Sequence, residues 1–186
     1  MLYWTISFPK HLVDLNLIRL FSNTMLLVFI SSILLIFLSF ISNYGNRVTK
    51  SKMLNMLNTF SVSGYAIPGI ILAVAFITFI SWFDNNIISF FGFKTIKSIF
   101  IGSVLGLILV YFIRFYSLAS NGIKSGYLKI NYSIDESAYL LGYSKFKTFT
   151  NIHIPYLKNS MMLVGVLIAI EVIKELPITL IMRPFN

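Results

Sequence analysis

The 186-residue sequence contains no cysteine, two histidines, five prolines and six acidic residues. Without cysteine there is no disulfide framework, no thiol nucleophile and no thiolate metal site. Charge of either sign is also scarce. Asp, Glu, Lys and Arg make up 11% of the chain, against roughly 25% in an ordinary soluble domain. So little charge cannot cover a water-facing surface, which excludes most soluble enzymes, nucleic-acid-binding modules and disordered regulators. What fills the chain is apolar: 57% of residues are hydrophobic and the mean hydropathy is +0.83. The expected class is an all-α, polytopic transmembrane helix bundle in a lipid bilayer.

The net charge is +9, from 15 Lys and Arg against 6 Asp and Glu. The basic residues sit between apolar stretches and form no patch with interleaved aromatics, which is the pattern of membrane loops and not of a nucleic-acid surface. Runs without ionisable residues mark four spans. The first is Leu20 to Asn46, with an apolar centre at Met25 to Ile41. In the second, Met53 to Phe83, the expected span is Phe60 to Phe83, with Pro68 near its start. The third, Ser98 to Ile113, continues past Arg114 to Ala119, which puts Arg114 near the cytoplasmic end. The fourth, Asn159 to Met182, is interrupted by Glu171, Lys174 and Glu175. Asn86 to Phe93 is apolar but too short to cross and reads as an interfacial or re-entrant piece. Residues 1–20 lack the pattern of a signal peptide and read as an amphipathic surface segment, with the membrane domain over 21–186.

Orientation follows from the basic loops. Arg47, Lys50, Lys52, Lys124, Lys129, Lys145, Lys147 and Lys158 lie in the two internal loops, against Lys10, Arg19, Lys94, Lys97 and Arg183 on the other side. That bias puts the internal loops in the cytoplasm and both termini outside.

The stretch Ser120 to Lys158 is the only long loop, and it has signals for structure. Ser133-Ile-Asp-Glu136 has the spacing of a capping box, with Asp135 and Glu136 in the first turn where the helix dipole favours negative charge. Gly142 suits a left-handed stop, Ser144 suits the cap of a second helix reaching Ile152, and Pro155 limits its continuation. Taken singly, Glu136 reads as a cap, Gly142 as a turn and Pro155 as a helix stop.

Together these residues resemble the cytoplasmic motif of ABC importer permeases: Glu-Ala-Ala, three variable residues, Gly, nine variable residues, Ile-x-Leu-Pro. Here it stands as Glu136-Ser137-Ala138, Gly142 and Ile152-His-Ile154-Pro155, with Ser137 and Ile154 as the departures. The resemblance implies a coupling loop, carried by Glu136, Ala138, Gly142 and Pro155 and flanked by Ser133, Asp135, Ile152 and Ile154. Such a loop docks on a separate cytoplasmic ATPase subunit and switches the membrane helices between inward-facing and outward-facing states. It also implies a bacterial inner-membrane location, a periplasmic or lipid-anchored solute-binding protein, and a second permease half or a homodimer. No cofactor is implied, since ATP is hydrolysed in the partner. Gly64-Tyr-Ala-Ile-Pro-Gly69 and Lys174-Glu-Leu-Pro177 through Arg183-Pro-Phe-Asn186 look like the ferric-iron type of permease, with thiamine and other small-solute permeases similar. The likeness is to the C-terminal half without its last helix, so a truncated or split frame, or an inert fragment, stays open as an expectation.

Gly64, Pro68 and Gly69 allow close helix packing and a local break. A charge at mid-membrane costs about 2.5–3.5 kcal/mol on insertion scales, so Glu171, Lys174 and Glu175 are expected to face the bundle interior. Spacings of three and four place Glu171 on one face with both of the others, suiting an internal salt bridge before a kink at Pro177. Two readings stand: a packing pair, or the lining of a solute path or gate. Enzyme chemistry finds little support. His11 and His153 fall on opposite sides in this topology and cannot share a metal, and no His-Glu-x-x-His, Gly-x-Ser-x-Gly or phosphate-cradling loop is present. An intramembrane enzyme using Glu171 and Glu175 is the remote alternative.

Overall fold

The computed structural model describes residues 15–49, 51–91, 100 and 102–183. Among these the chain is helical throughout its ordered elements, with no strand. Eight α-helices follow one another among the described residues: α1 (Leu15–Thr49), α2 (Lys52–Ala66), α3 (Gly69–Phe91), α4 (Val104–Tyr127), α5 (Tyr132–Leu140), α6 (Lys145–Thr148), α7 (Ile154–Lys174) and α8 (Leu176–Met182). A π-turn, Phe149–His153, joins α6 to α7. Four segments are long and apolar enough to cross a membrane: Leu17–Thr49, Gly69–Asn86, Val104–Tyr127 and Lys145–Lys174. The four-span, all-α bundle expected from the charge-free runs is what forms.

α4 is the central post. Leu107, Val110, Tyr111, Phe115, Ala119 and Ile123 recur at three- and four-residue steps and are all buried, so one stripe of the helix is committed to neighbours. α1 meets it with Val28, Leu35 and Phe40, and α7 with Leu157, Val164, Ile168 and Val172. α1, α4 and α7 pack mutually, α2 lies along α4, and α3 rests mainly on α8. The outer faces stay apolar: Phe21, Phe29 and Phe37 of α1 and Leu163, Val166 and Ile170 of α7 are exposed. A continuous apolar surface of this kind is untenable in water and ordinary against lipid tails. Because lipid is as apolar as the core, helix association here rests on close packing and on polar contacts.

Several boundaries differ from the sequence reading, each for a local reason. The second span is divided: α2 begins at Lys52 and ends at Ala66, and Ile67 is extended (φ −78°, ψ 130°) before α3 starts at Gly69. Pro68 offers no N–H and drives the residue before it out of the helical region. Asn86–Phe91 is no separate re-entrant piece but the end of α3, and residues 92–93 lie outside the described residues. α4 runs on to Tyr127, so Arg114 sits ten residues, about 15 Å, in from Val104 and not near a helix end. α7 starts at Ile154 and ends at Lys174, with the rest of the expected fourth span forming α8. Of the expected N-terminal surface segment, Leu15–Leu20 belongs to α1, and residues 1–14, His11 included, lie outside the described residues.

Pro155 does not stop a helix. Helical backbone runs from Lys145 through the π-turn into α7, and the Ile154 N–H bonds the Phe149 carbonyl five residues back. The widened turn falls where the proline ring and missing N–H would otherwise break an α-helical register.

Candidate functional site

The expected capping box is not made. Asn131 caps α5 instead, its side chain accepting from the Ser133 N–H at 3.3 Å. Ser133 and Glu136 are both exposed inside the helix. Starting the helix two residues earlier brings Tyr132 beneath the Arg47 guanidinium, 4.2 Å from the ring centroid. α5 ends in a Schellman motif: the Tyr143 N–H bonds the Ala138 carbonyl and the Gly142 N–H the Tyr139 carbonyl, each at 3.0 Å. Gly142 supplies the positive φ, +81°, that this reversal needs. Ser144 then caps α6, accepting from the Lys147 N–H at 3.3 Å. The result is a helix, a glycine turn and a second short helix.

Asp135 ties this loop to the bundle. One carboxylate oxygen lies 2.6 Å from Arg47 Nε at the end of α1, and the other lies 2.9 Å from Nε2 of the fully buried His153 in the π-turn. The histidine contact is at ion-pair distance but off the line of a good hydrogen bond. Arg47 also donates to the Ile130 and Asn131 carbonyls at 3.0 Å each and to the Tyr127 carbonyl at 3.4 Å, closing the end of α4. Around this node Phe40, Tyr44, Tyr127, Phe149 and His153 stack in a continuous group, with centroids 4.7–5.9 Å apart. Tyr44 Oη donates to the Lys145 carbonyl at 2.6 Å, fastening the second loop helix.

The loop tip faces the opposite way. Leu140 is 90% exposed, Leu141 78% and Phe146 75%, and nothing lies within 4 Å of the space a side chain on Gly142 would take. Lys145 and Lys147 are exposed beside them, with Lys147 Nζ 4.5 Å from the Tyr143 ring centroid. Ala138 is buried toward the bundle, Ile152 half-buried, and Ile154 and Pro155 exposed. The arrangement is an apolar tip with a basic rim on a stalk held by the Asp135 carboxylate and by the Tyr44–Lys145 hydrogen bond. A surface of this kind suits docking of a protein partner.

A second polar cluster lies far from the loop, where two helices are interrupted. Arg114 Nε is 3.1 Å from Glu175 Oε2, and Arg114 Nη1 donates to the Ile67 carbonyl left free at the α2–α3 break. Glu175 is itself at a break (φ −81°, ψ 77°), between α7 and α8, with Pro177 in the first turn of α8. Thr179 Oγ1 donates to the Glu175 carbonyl at 2.5 Å and lies 2.6 Å from Tyr111 Oη. Gly69 gives the Glu175 carboxylate room, since a methyl there would overlap Oε1, and a methyl on Gly64 would overlap the Ile113 carbonyl.

The expected internal triad of Glu171, Lys174 and Glu175 is therefore split. Glu171 pairs with Lys174 at 3.5 Å on an open face, Lys174 being 66% exposed. Glu175 is turned away because its backbone leaves the helix, and its partner is on α4. Sequence reasoning missed Arg47 and His153, and it misplaced Arg114. Arg47 follows a charge-free run, as any loop cation does, and His153 occupies a variable position of the motif. No local signal separates them from their bland neighbours. No family model matches the chain, and no curated protein matches it.

Proposed function

We propose that the chain is a transmembrane permease subunit of a binding-protein-dependent ABC importer in a bacterial inner membrane. Its loop would dock on a cytoplasmic ATPase subunit, and closure of that ATPase on ATP would move the membrane helices. The observation that carries the reading is the construction at the motif: Leu140, Leu141 and Phe146 stand free at the tip. Asp135, one turn below, grips Arg47 of α1 and His153 at the foot of α7. Force on the tip would reach α1 and α7 through the buried Asp135 carboxylate and the Tyr44–Lys145 bond. Arg47 would carry it to the end of α4 through the Tyr127 carbonyl and to the following loop through those of Ile130 and Asn131. A two-state switch needs that kind of stiff link between docking surface and moving element.

Ferric iron is the solute we infer, from the likeness at Gly64 to Gly69 and Lys174 to Asn186. A solute-binding protein would deliver it, and a second permease half or copy would complete the path. The docking test uses the chain in lipid nanodiscs with its ATPase subunit. Wild type should capture the ATPase, and Gly142→Pro should abolish capture while leaving helical content unchanged. Equal capture by both would overturn the coupling reading. The solute is tested separately, by binding-protein-dependent uptake of radiolabelled iron against thiamine; preference for thiamine would overturn the iron assignment alone.

A further inference from the structure

Two helices are broken, and the breaks meet. α2 gives way to α3 at Ile67–Pro68, and α7 gives way to α8 at Glu175. Arg114 touches both, through the Ile67 carbonyl and the Glu175 carboxylate. Discontinuous helices that meet inside a bundle are where membrane transporters place moving parts, because the freed backbone groups can change partners without unwinding a whole helix.

We propose that Arg114 is a latch between two bodies of this bundle. One body is α1, α2, α4 and α7. The other is α3 with α8, which rest mainly on each other; α3 follows the extended Ile67 and Pro68, and α8 follows the break at Glu175. Neither Pro68 nor Pro177 has an N–H, so each joint already lacks one intrahelical bond that bending would otherwise break. Polar links across the gap among the described residues include Arg114 to Glu175, Tyr111 of α4 to Thr179 of α8 at 2.6 Å, and the Phe100 N–H, just ahead of α4, to Asp84 of α3 at 3.1 Å.

The carboxylate is also only half satisfied. Glu175 Oε1 is buried against Gly69 with no hydrogen-bond partner. An unpartnered polar atom in a dry site is costly, and here that cost falls at the meeting point of the two breaks. Release would let α3 and α8 swing together away from α4, opening a polar seam lined by Arg114, Tyr111, Thr179 and Glu175. Given the permease reading above, that seam is where a solute would cross.

The natural absence of cysteine makes the test clean. Ile178 is fully buried beside Gly69, and Ile123 is fully buried in α4, remote from both breaks. Each would be replaced separately, Ile178→Cys and Ile123→Cys, in the full chain in proteoliposomes, and labelled with a membrane-impermeant maleimide. Adding Glu175→Gln or Arg114→Gln should raise the labelling rate at position 178 by about tenfold or more while position 123 stays dark. An unchanged rate at 178 makes the pair mere packing and overturns the latch. A matching rise at 123 means the pair holds the whole fold, which overturns it too. No ATPase subunit enters this assay, so its outcome and that of the docking test are independent.

Discussion

Asp135 and Glu136 are neighbours in the first half of one short helix and have opposite roles. The Asp135 side chain is buried between a guanidinium and an imidazole, whereas Glu136 points into the open. Removing one partner of a buried ion pair leaves the other uncompensated, at about 3–5 kcal/mol. Asp135→Asn should therefore lower the thermal midpoint in detergent markedly, while Glu136→Gln should stay within about 0.5 kcal/mol of wild type. If the two variants melt alike, Asp135 is not the node described. A second contrast lies among the glycines. Gly142→Ala meets no atom and suffers only its left-handed backbone, about 1–2 kcal/mol. Gly64→Ala collides with the Ile113 backbone carbonyl, which cannot yield as a side-chain tip can, and should cost more in the same unfolding experiment.

Among the elements, the loop shows how far spacing alone reaches. The glycine turn and the Ser144 cap were legible because both obey local chemistry within three residues. The capping box was not made because Asn131, two residues upstream of Ser133, offers an equally good cap, and Arg47 rewards the earlier start by stacking on Tyr132. Pro155 reads as a stop in any local scheme. What lets helix continue through it is a π-turn, which no residue pattern announces. The apolar tip belongs to this scale as well. Leu140→Asp combined with Leu141→Asp should leave the unfolding transition in place and remove ATPase capture, because both side chains contact nothing that holds the bundle. Loss of folded protein in that variant would show the leucines to be core residues, contrary to their exposure.

At the level of the whole molecule, α1, α4 and α7 form the frame, with a polar node at each of two depths. Charge-free runs revealed the four spans because the bilayer forbids charge over the length of a helix. The nodes stayed hidden because they join residues far apart in sequence: Arg47 with Asp135, and Arg114 with Glu175. An isolated cation in an apolar run shows where a partner is required, never which one. Under the proposed coupling and latch readings the two nodes would divide the labour, the first passing motion from the loop to the frame and the second freeing α3 and α8 to respond. The claim on which the first node's role depends is that the loop tip is a docking surface. Hydrogen–deuterium exchange on the chain in nanodiscs, with and without the ATPase subunit, tests it directly. The account predicts protection concentrated over residues 137–148, with the outer faces of α1 and α7 unchanged. Exchange at the tip that is the same in both samples would contradict it.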